Sequence, residues 1–283
     1  MAQIAGRWAI GHRTRYHYST PVAFAPHLLR LIPRSDGARC LEQALRITPA
    51  PLATTEFDDV FGNRICRVTF GAGYFDELTI DSRLLVEVLP RGLLGGVLAP
   101  PPLPWPVPVV DALFAHRQPD GSPEVVELAQ RLSSRVGHAP LPFFELLCQT
   151  LYSTLDRGAR VDGAAQAPAH TLAIGRGACR DLTVLFLAAC RTLGVAGRFV
   201  SGYQCQEGRA QGQLHLHAWP EVFVPELGWL GWDPTLGVAA GTGHIALSAA
   251  PEQSATMPVE GGFYFDGSAV TSTLEYEIAF ESD

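Results

Sequence analysis

The chain has 283 residues, 47% of them hydrophobic, enough for one large core or two modest ones and too many for a disordered protein. Its formal charge of −7, from 28 acidic and 21 basic residues without a long Lys/Arg run, excludes a surface that tracks a phosphate backbone, so no nucleic-acid partner is expected. No window approaches the roughly 18 apolar residues of a membrane span, and the start has no uninterrupted apolar stretch. A cytoplasmic enzyme with no membrane partner is therefore the expectation.

The first part reads as strands at residues 14–18, 42–47, 64–70 and 78–88, from β-branched and aromatic enrichment with partial alternation. Residues 58–63, ending in Gly62-Asn63, suit a tight hairpin connection, because Gly and Asn tolerate positive φ. An antiparallel β-sandwich or barrel is expected here. Residues 89–108 carry seven prolines and three glycines, which sustain neither a helix nor a central strand and mark an arm or linker. The expected organisation is thus a β-rich domain with its proline-rich arm at 1–108, followed by a second domain at 109–283.

Beyond the arm the period changes. Ser122-Pro123-Glu124 supplies an N-cap, a first-turn proline and a first-turn acid for a helix running to about residue 133. A second helix is expected over 142–156, with apolar residues at Phe144, Leu147, Cys148, Leu151 and Leu155. A third, over 179–193, is apolar nearly all round and so buried on most faces, and Gly194 ends it. Residues 198–203, 215–224 and 229–233 read as strands, the last two joined by a turn at 225–228. The fold class is α+β.

Six cysteines, Cys40, Cys66, Cys148, Cys179, Cys190 and Cys205, are scattered without metal-ligand spacing and read as thiols, most of them inert. Cys179 differs by position. It follows Gly175-Arg176-Gly177-Ala178 at the start of the buried helix, where unpaired backbone N–H groups and the macrodipole favour a thiolate. Its own amide is the candidate donor to an oxyanion, and Asp181 reads as a cap of the first turn.

A thiolate needs a base that also returns a proton to the leaving amine, and that base needs an orienting partner. His217 follows Cys179 by 38 residues and Asp233 follows His217 by 16, about right for side chains that meet across neighbouring antiparallel strands. Catalytic Cys179, His217 and Asp233 are the expected set. Trp219, Tyr203, His215 and Trp232 are the candidates for substrate or oxyanion contacts. Each tryptophan also reads as core, and His170 as a surface histidine on a loop. Cys190 reads as packing, and Cys205 as a residue at the cleft edge or in the core.

Four ordered blocks carry a resemblance: residues 177–181 (Gly-Ala-Cys-Arg-Asp), 191–203 (through Gly194-Val195-Ala196-Gly197-Arg198 to Tyr203), 217–222 (His-Ala-Trp-Pro-Glu-Val) and 228–235 (Gly-Trp-Leu-Gly-Trp-Asp-Pro-Thr). Together they resemble the bacterial transglutaminase-like superfamily, and the segments 16–22, 29–34 and 59–63 resemble the β-rich domain that precedes its catalytic core. The resemblance implies a papain-like core in which Cys179 attacks, His217 is base and acid, and Asp233 orients the imidazole, on a peptide or protein substrate and without a cofactor. Two departures stand out. Arg180 replaces the Gln common after the cysteine in relatives. Pro220 interrupts the strand that carries His217, so that strand is expected to be locally an edge or bulged.

The family's members include cross-linkers, proteases and amidases, and the residues favour hydrolysis over cross-linking because nothing in them shows an amine site. The absence of Asp-rich loops with calcium-ligand spacing argues against a calcium-switched transglutaminase. Two other readings compete: a peptide-binding module without turnover, and a metal site built from His215 and His217 with Asp233 or Cys179. The complete set of nucleophile, base and carboxylate favours the enzyme, with no metal. Oligomeric state is not legible.

Overall fold

The computed structural model describes residues 6–89, 99–106, 113–119, 121–158, 163–205, 216–267 and 269–282. His215 and much of the proline-rich stretch lie outside them.

The chain opens with β1 (Arg7–Phe24), β2 (His27–Leu29), β3 (Ala38–Thr48), β4 (Ala53–Asp58), β5 (Arg64–Thr69) and β6 (Phe75–Val88). β2 is too short to show a period, and every residue of β4 is exposed, so neither carries the alternation that marks a half-buried strand. The 58–63 turn joins β4 to β5: Asp59 Oδ1 accepts the backbone N–H groups of Phe61 and Asn63, both at 2.9 Å, and Gly62 takes φ +74°.

Next come α1 (Pro123–Arg135), α2 (Pro140–Thr154), β7 (Asp156–Arg157), α3 (Pro168–Ile174), β8 (Arg176–Gly177), α4 (Cys179–Thr192), β9 (Gly197–Gln204), β10 (His217–Val224), β11 (Gly228–Asp233), β12 (Val238–Ala239) and β13 (His244–Ala250). Pro140 begins α2 at its first position, where a missing N–H costs no helical bond, so that helix starts two residues before the expected Pro142. α3 is an additional helix, and exposed His170 lies on it rather than on a loop.

The tail returns to the beginning. β14 (Val259–Glu260) pairs with β2, while β15 (Phe263–Tyr264) and β16 (Ser272–Ser282) pair with β1. The sheets of the N-terminal part therefore draw strands from both sides of residue 108. Their orders are β15-β1-β6-β3, with β16 also on β1, and β14-β2-β5-β4. β3 and β4 end their sheets, so among the described residues there is no closed barrel. Ile10, Val22, Leu78 and Ile80 of the first sheet share one hydrophobic cluster with Leu29, Cys66 and Val68 of the second.

The third sheet, β12-β11-β10-β9-β13, supports the helices. α4 is enclosed as its composition implies. Leu182, Leu185, Phe186 and Ala189 join the helical cluster with α1 and α2, while Leu187 meets Phe199 of β9 and Ala218 of β10. At its far end the backbone N–H of Trp105 bonds Leu193 O at 2.9 Å, and a Cβ on Gly194 would lie 1.9 Å from Trp105 O. Trp105 of the proline-rich arm thus sits about 21 Å along the helix axis from Cys179.

Candidate active site

Cys179 owes its place to the turn before it. Gly175 closes α3 at φ +67°, and Gly177 approaches α4 so tightly that a Cβ there would lie 2.8 Å from Cβ of Asp181. Asp181 Oδ2 accepts the backbone N–H of Ala178 at 2.8 Å, and its Oδ1 accepts that of Gln166, also at 2.8 Å. The cap expected of Asp181 is therefore made, and it ties the preceding loop to the mouth of the helix. Cys179 is the first residue of α4, with no intrahelical acceptor for its amide. It shares the face of Thr183 and Leu187, which turns it toward β10.

On β10 the hydrogen-bonding directions explain Pro220. Successive N–H groups point to opposite sides of a strand, and that of Phe223 goes toward β9, to Ala196 O at 2.9 Å. The nitrogens of 218, 220 and 222 therefore face the β11 side. The β11 ladder stops at Glu221↔Gly231, next to Pro220, which has no N–H to continue it, and the Ala218 N–H beyond it is left for the sulfur of Cys179. Of the two expected arrangements the edge is present and the bulge is not: the β9–β10 register runs unbroken from His217 to Val222.

His217 bridges the other two members. Its Nε2 lies 2.7 Å from Oδ2 of Asp233, which leaves Nδ1 for the hydrogen bond with Cys179. Asp233 is fully buried and is held by a local turn, Oδ1 accepting the N–H groups of Thr235 at 2.9 Å and Leu236 at 3.2 Å. That turn rests on α2. Gln149 Nε2 donates to Gly237 O, and a Cβ on Gly237 would run into the Tyr152 ring at 2.7 Å.

Charge follows contact. Burial opposes ionisation of Cys179, but the hydrogen bond and charge of His217, the Ala218 amide and Arg180 outweigh it and bring the thiol below its ordinary value. Burial likewise opposes a charged His217, yet Asp233 and Cys179 raise it to about 10. Asp233 is held well below the carboxylate range against its own burial by His217 and His244. All three shifts run toward a thiolate–imidazolium pair backed by a carboxylate. The other buried thiols move the opposite way: burial lifts Cys148 to about 12 and pushes Cys190 and Cys205 up as well.

His244, at the start of β13, drew no expectation from the sequence. Its Nε2 lies 3.0 Å from Asp233 Oδ2, and its Nδ1 accepts the Gly241 N–H at 3.1 Å. The available signal was a histidine opening an apolar strand 11 residues after the aspartate. His217, Asp233 and His244 form a group whose ligand atoms lie within 4.8 Å of one another, a three-residue set that differs from the expected metal alternative. Its donors are already engaged. An ion would have to displace the Nε2 hydrogen of His244, whose Nδ1 faces a backbone donor, and break the bridge from His217 to Asp233.

The secondary candidates separate. Trp219 is buried, stacked on His217 with ring centroids 6.2 Å apart, so it forms a wall of the site. Its Nε1 is sealed from solvent and finds no partner among the described residues. Tyr203 does not reach the site. It follows Gly202, the residue opposite His217, so alternation turns it to the other face, where its hydroxyl meets Nδ1 of His12 at 2.9 Å. Trp232 is core, between Phe144 and Phe186 at 5.1 and 6.3 Å. Cys205 is buried in the N-terminal cluster. His215 lies outside the described residues.

Residues 8–87 match the bacterial transglutaminase-like N-terminal region, and residues 134–234 match the transglutaminase-like superfamily. An uncharacterised protein of Mycobacterium tuberculosis is 25% identical over 98% of this chain and 94% of its own length. One from Mycobacterium leprae is 24% identical over 90% and 92%. Among solved structures, one from Cytophaga hutchinsonii, provisionally described as a cysteine protease, superposes with a TM-score of 0.71 at 15% identity, over 99% of this chain and 91% of that one. The periplasmic domain of TgpA from Pseudomonas aeruginosa matches at 17% identity over 84% and 89%, with a TM-score of 0.41. No helix among the described residues is long and apolar enough to cross a membrane. A transglutaminase-like N-terminal region ahead of a transglutaminase-like core, in one fold from end to end, means that the chain belongs to the transglutaminase-like superfamily.

Proposed function

We propose that the protein is a cysteine-dependent acyl-transfer enzyme that opens peptide or amide bonds through a thioester on Cys179, with water as the usual acceptor. The observation that carries this reading is the single imidazole of His217 in hydrogen-bond contact with both Cys179 and Asp233. The thiolate adds to the carbonyl carbon, and the amide of Cys179 at the mouth of α4 donates to the oxyanion. His217 gives its Nδ1 proton to the departing nitrogen, the C–N bond breaks and a thioester remains. Water then passes a proton to His217 and adds to the thioester, the C–S bond breaks, and the free acid leaves the thiolate restored. Asp233 keeps the ring oriented throughout and stabilises the imidazolium present before the first proton transfer and after the second.

Hydrolysis is favoured over cross-linking because it requires only an accessible thioester, whereas cross-linking requires a site that holds an amine and excludes water. The description of the Cytophaga hutchinsonii neighbour as a protease points to the same class of bond. All six cysteines are free, which suits a reducing compartment such as the cytoplasm.

The test is a screen of peptide and isopeptide libraries with the parent and Cys179→Ala, in the presence of a labelled primary amine, products being identified by mass. Free acids made by the parent alone are expected. Equal cleavage by the alanine variant would end this reading, and a predominance of amine adducts would replace hydrolysis by transfer.

A further inference from the structure

We propose that His244 is a positioning residue of the Cys179–His217–Asp233 site: its imidazole N–H pins the Asp233 carboxylate against His217, and the N-terminal part of the chain sets it there through β13. The inference rests on the acyl-transfer reading and adds to it a fourth member and a task for the N-terminal sheets.

The hydrogen-bond directions are determined. The Gly241 backbone N–H can only donate, so the His244 Nδ1 that faces it carries the lone pair and Nε2 carries the hydrogen. That hydrogen points at Asp233 Oδ2, the oxygen that also receives His217. With two backbone N–H groups on Oδ1, the carboxylate accepts four hydrogen bonds, which is its capacity. Without His244 the oxygen serving His217 has no other anchor among the described residues, and rotation of the carboxylate moves it away from the ring. Trp219 steadies the pair, edge-on to His244 with centroids 5.1 Å apart and stacked on His217.

β13 does not set its own position. The backbone N–H of Arg34 bonds Ala246 O at 2.8 Å, and the Asn63 side chain closes on Ala249, accepting its N–H at 2.7 Å and donating to its O at 3.0 Å. Asn63 is in turn held by Asp59 Oδ2 at 2.9 Å. The 59–63 turn, at the tip of a hairpin in the N-terminal sheets, is thereby a clamp on the strand that presents His244. On its other side β13 pairs His244 with Gln204 of β9, and the Cys205 N–H bonds Gly243 O at 2.7 Å.

The readout requires no substrate: the rate at which iodoacetamide alkylates Cys179, followed against pH by peptide mass. The charged or titratable groups that face the pair are Asp233 on β11, His244 on β13, Arg180 on α4 and Cys148 of α2 beneath the aspartate turn. His244→Phe keeps a ring against Trp219 but has no N–H, whereas His244→Gln keeps a donor for Asp233 and an acceptor for Gly241. His244→Phe is expected to move the acid limb of the profile up by about one pH unit, a roughly tenfold slower reaction on that limb. His244→Gln is expected to stay within about threefold of the parent, an expectation that rests on the conserved donor. Protection of Cys190 from the reagent reports an intact fold in each variant, and His244→Ala serves as a second donor-free variant if phenylalanine disturbs packing. A phenylalanine variant with the parent's profile overturns the inference, as does a glutamine variant as impaired as phenylalanine. A parent whose Cys179 titrates as an ordinary thiol overturns the acyl-transfer reading and this inference with it, so the two failures are distinct.

Discussion

His217 Nε2 stands 2.7 Å from Oδ2 of Asp233, and the pair spans two strands whose own ladder ends short of it, at Glu221↔Gly231. The side chains meet beyond the last paired residues, and Cys179 at the start of α4 packs against Ala218 beside them. Replacing Asp233 by asparagine removes the charge that raises His217, so the ring's pKa falls from about 10 toward the ordinary imidazole value. The alkaline limb of activity should move to lower pH, with turnover down by about a hundredfold or more. A pH–rate profile of Asp233→Asn with an unmoved alkaline limb would show that the carboxylate does not set the imidazolium.

In the parent the two shifts run in opposite directions, the thiol down and the imidazole up. Reactivity of Cys179 should appear below the ordinary thiol range, because its thiolate is stabilised by His217, and proton donation to the leaving group should fail near pH 10 as His217 deprotonates. At pH 7 iodoacetamide should label Cys179 in the native protein, while Cys148, Cys190 and Cys205 react only after unfolding. Mass mapping of labelled peptides decides this, and equal labelling of Cys190 would contradict it.

Gly177 is tightly enclosed, since an added Cβ would lie 2.8 Å from Cβ of Asp181 and 2.9 Å from Cδ1 of Leu182. Gly177→Ala should therefore push the approach to Cys179 outward, with a loss of about 1–3 kcal/mol in stability and a larger proportional loss of activity. Gly71, with nothing within 4 Å of the corresponding position, is the control, and Gly71→Ala should leave both unchanged. Urea unfolding and turnover measured on both variants provide the comparison.

Asn63→Ala would strip the Ala249 backbone of both partners and remove an acceptor from Arg34, all in a fully buried place. A destabilisation of about 3 kcal/mol is expected, read as a lower urea midpoint. A midpoint within experimental error of the parent's would mean that the 59–63 turn does not clamp β13.

Zinc should act as an inhibitor and not as a cofactor. Excess Zn²⁺ competes for His217, Asp233 and His244 by displacing the hydrogens that hold them together, so it should slow alkylation of Cys179, and a chelator should restore the parent rate. A parent protein that loses Cys179 reactivity on chelation would reverse this assignment.

Some of this was determined by the sequence alone, because the relevant physics is local. Gly177 and Ala178 before an apolar run mark a helix start, Cys179 at that start faces free N–H groups, and the spacing through the 225–228 turn sets His217 and Asp233 on adjacent strands. The order of nucleophile, base and carboxylate needed nothing further. The tertiary structure decided what depends on distant partners. Tyr203 and Trp232 carry the right chemistry, but the face each presents follows from strand register and core packing, and both turn away. His244 shows no motif, and it becomes part of the site only because β13 crosses to the far side of β9, clamped by a turn some 180 residues earlier. The tail looked like the end of the second domain, yet β14 to β16 complete sheets begun by β1 and β2. Side-chain chemistry and turn propensity are properties of short segments. Which segments meet is settled by the burial of surfaces that lie far apart along the chain.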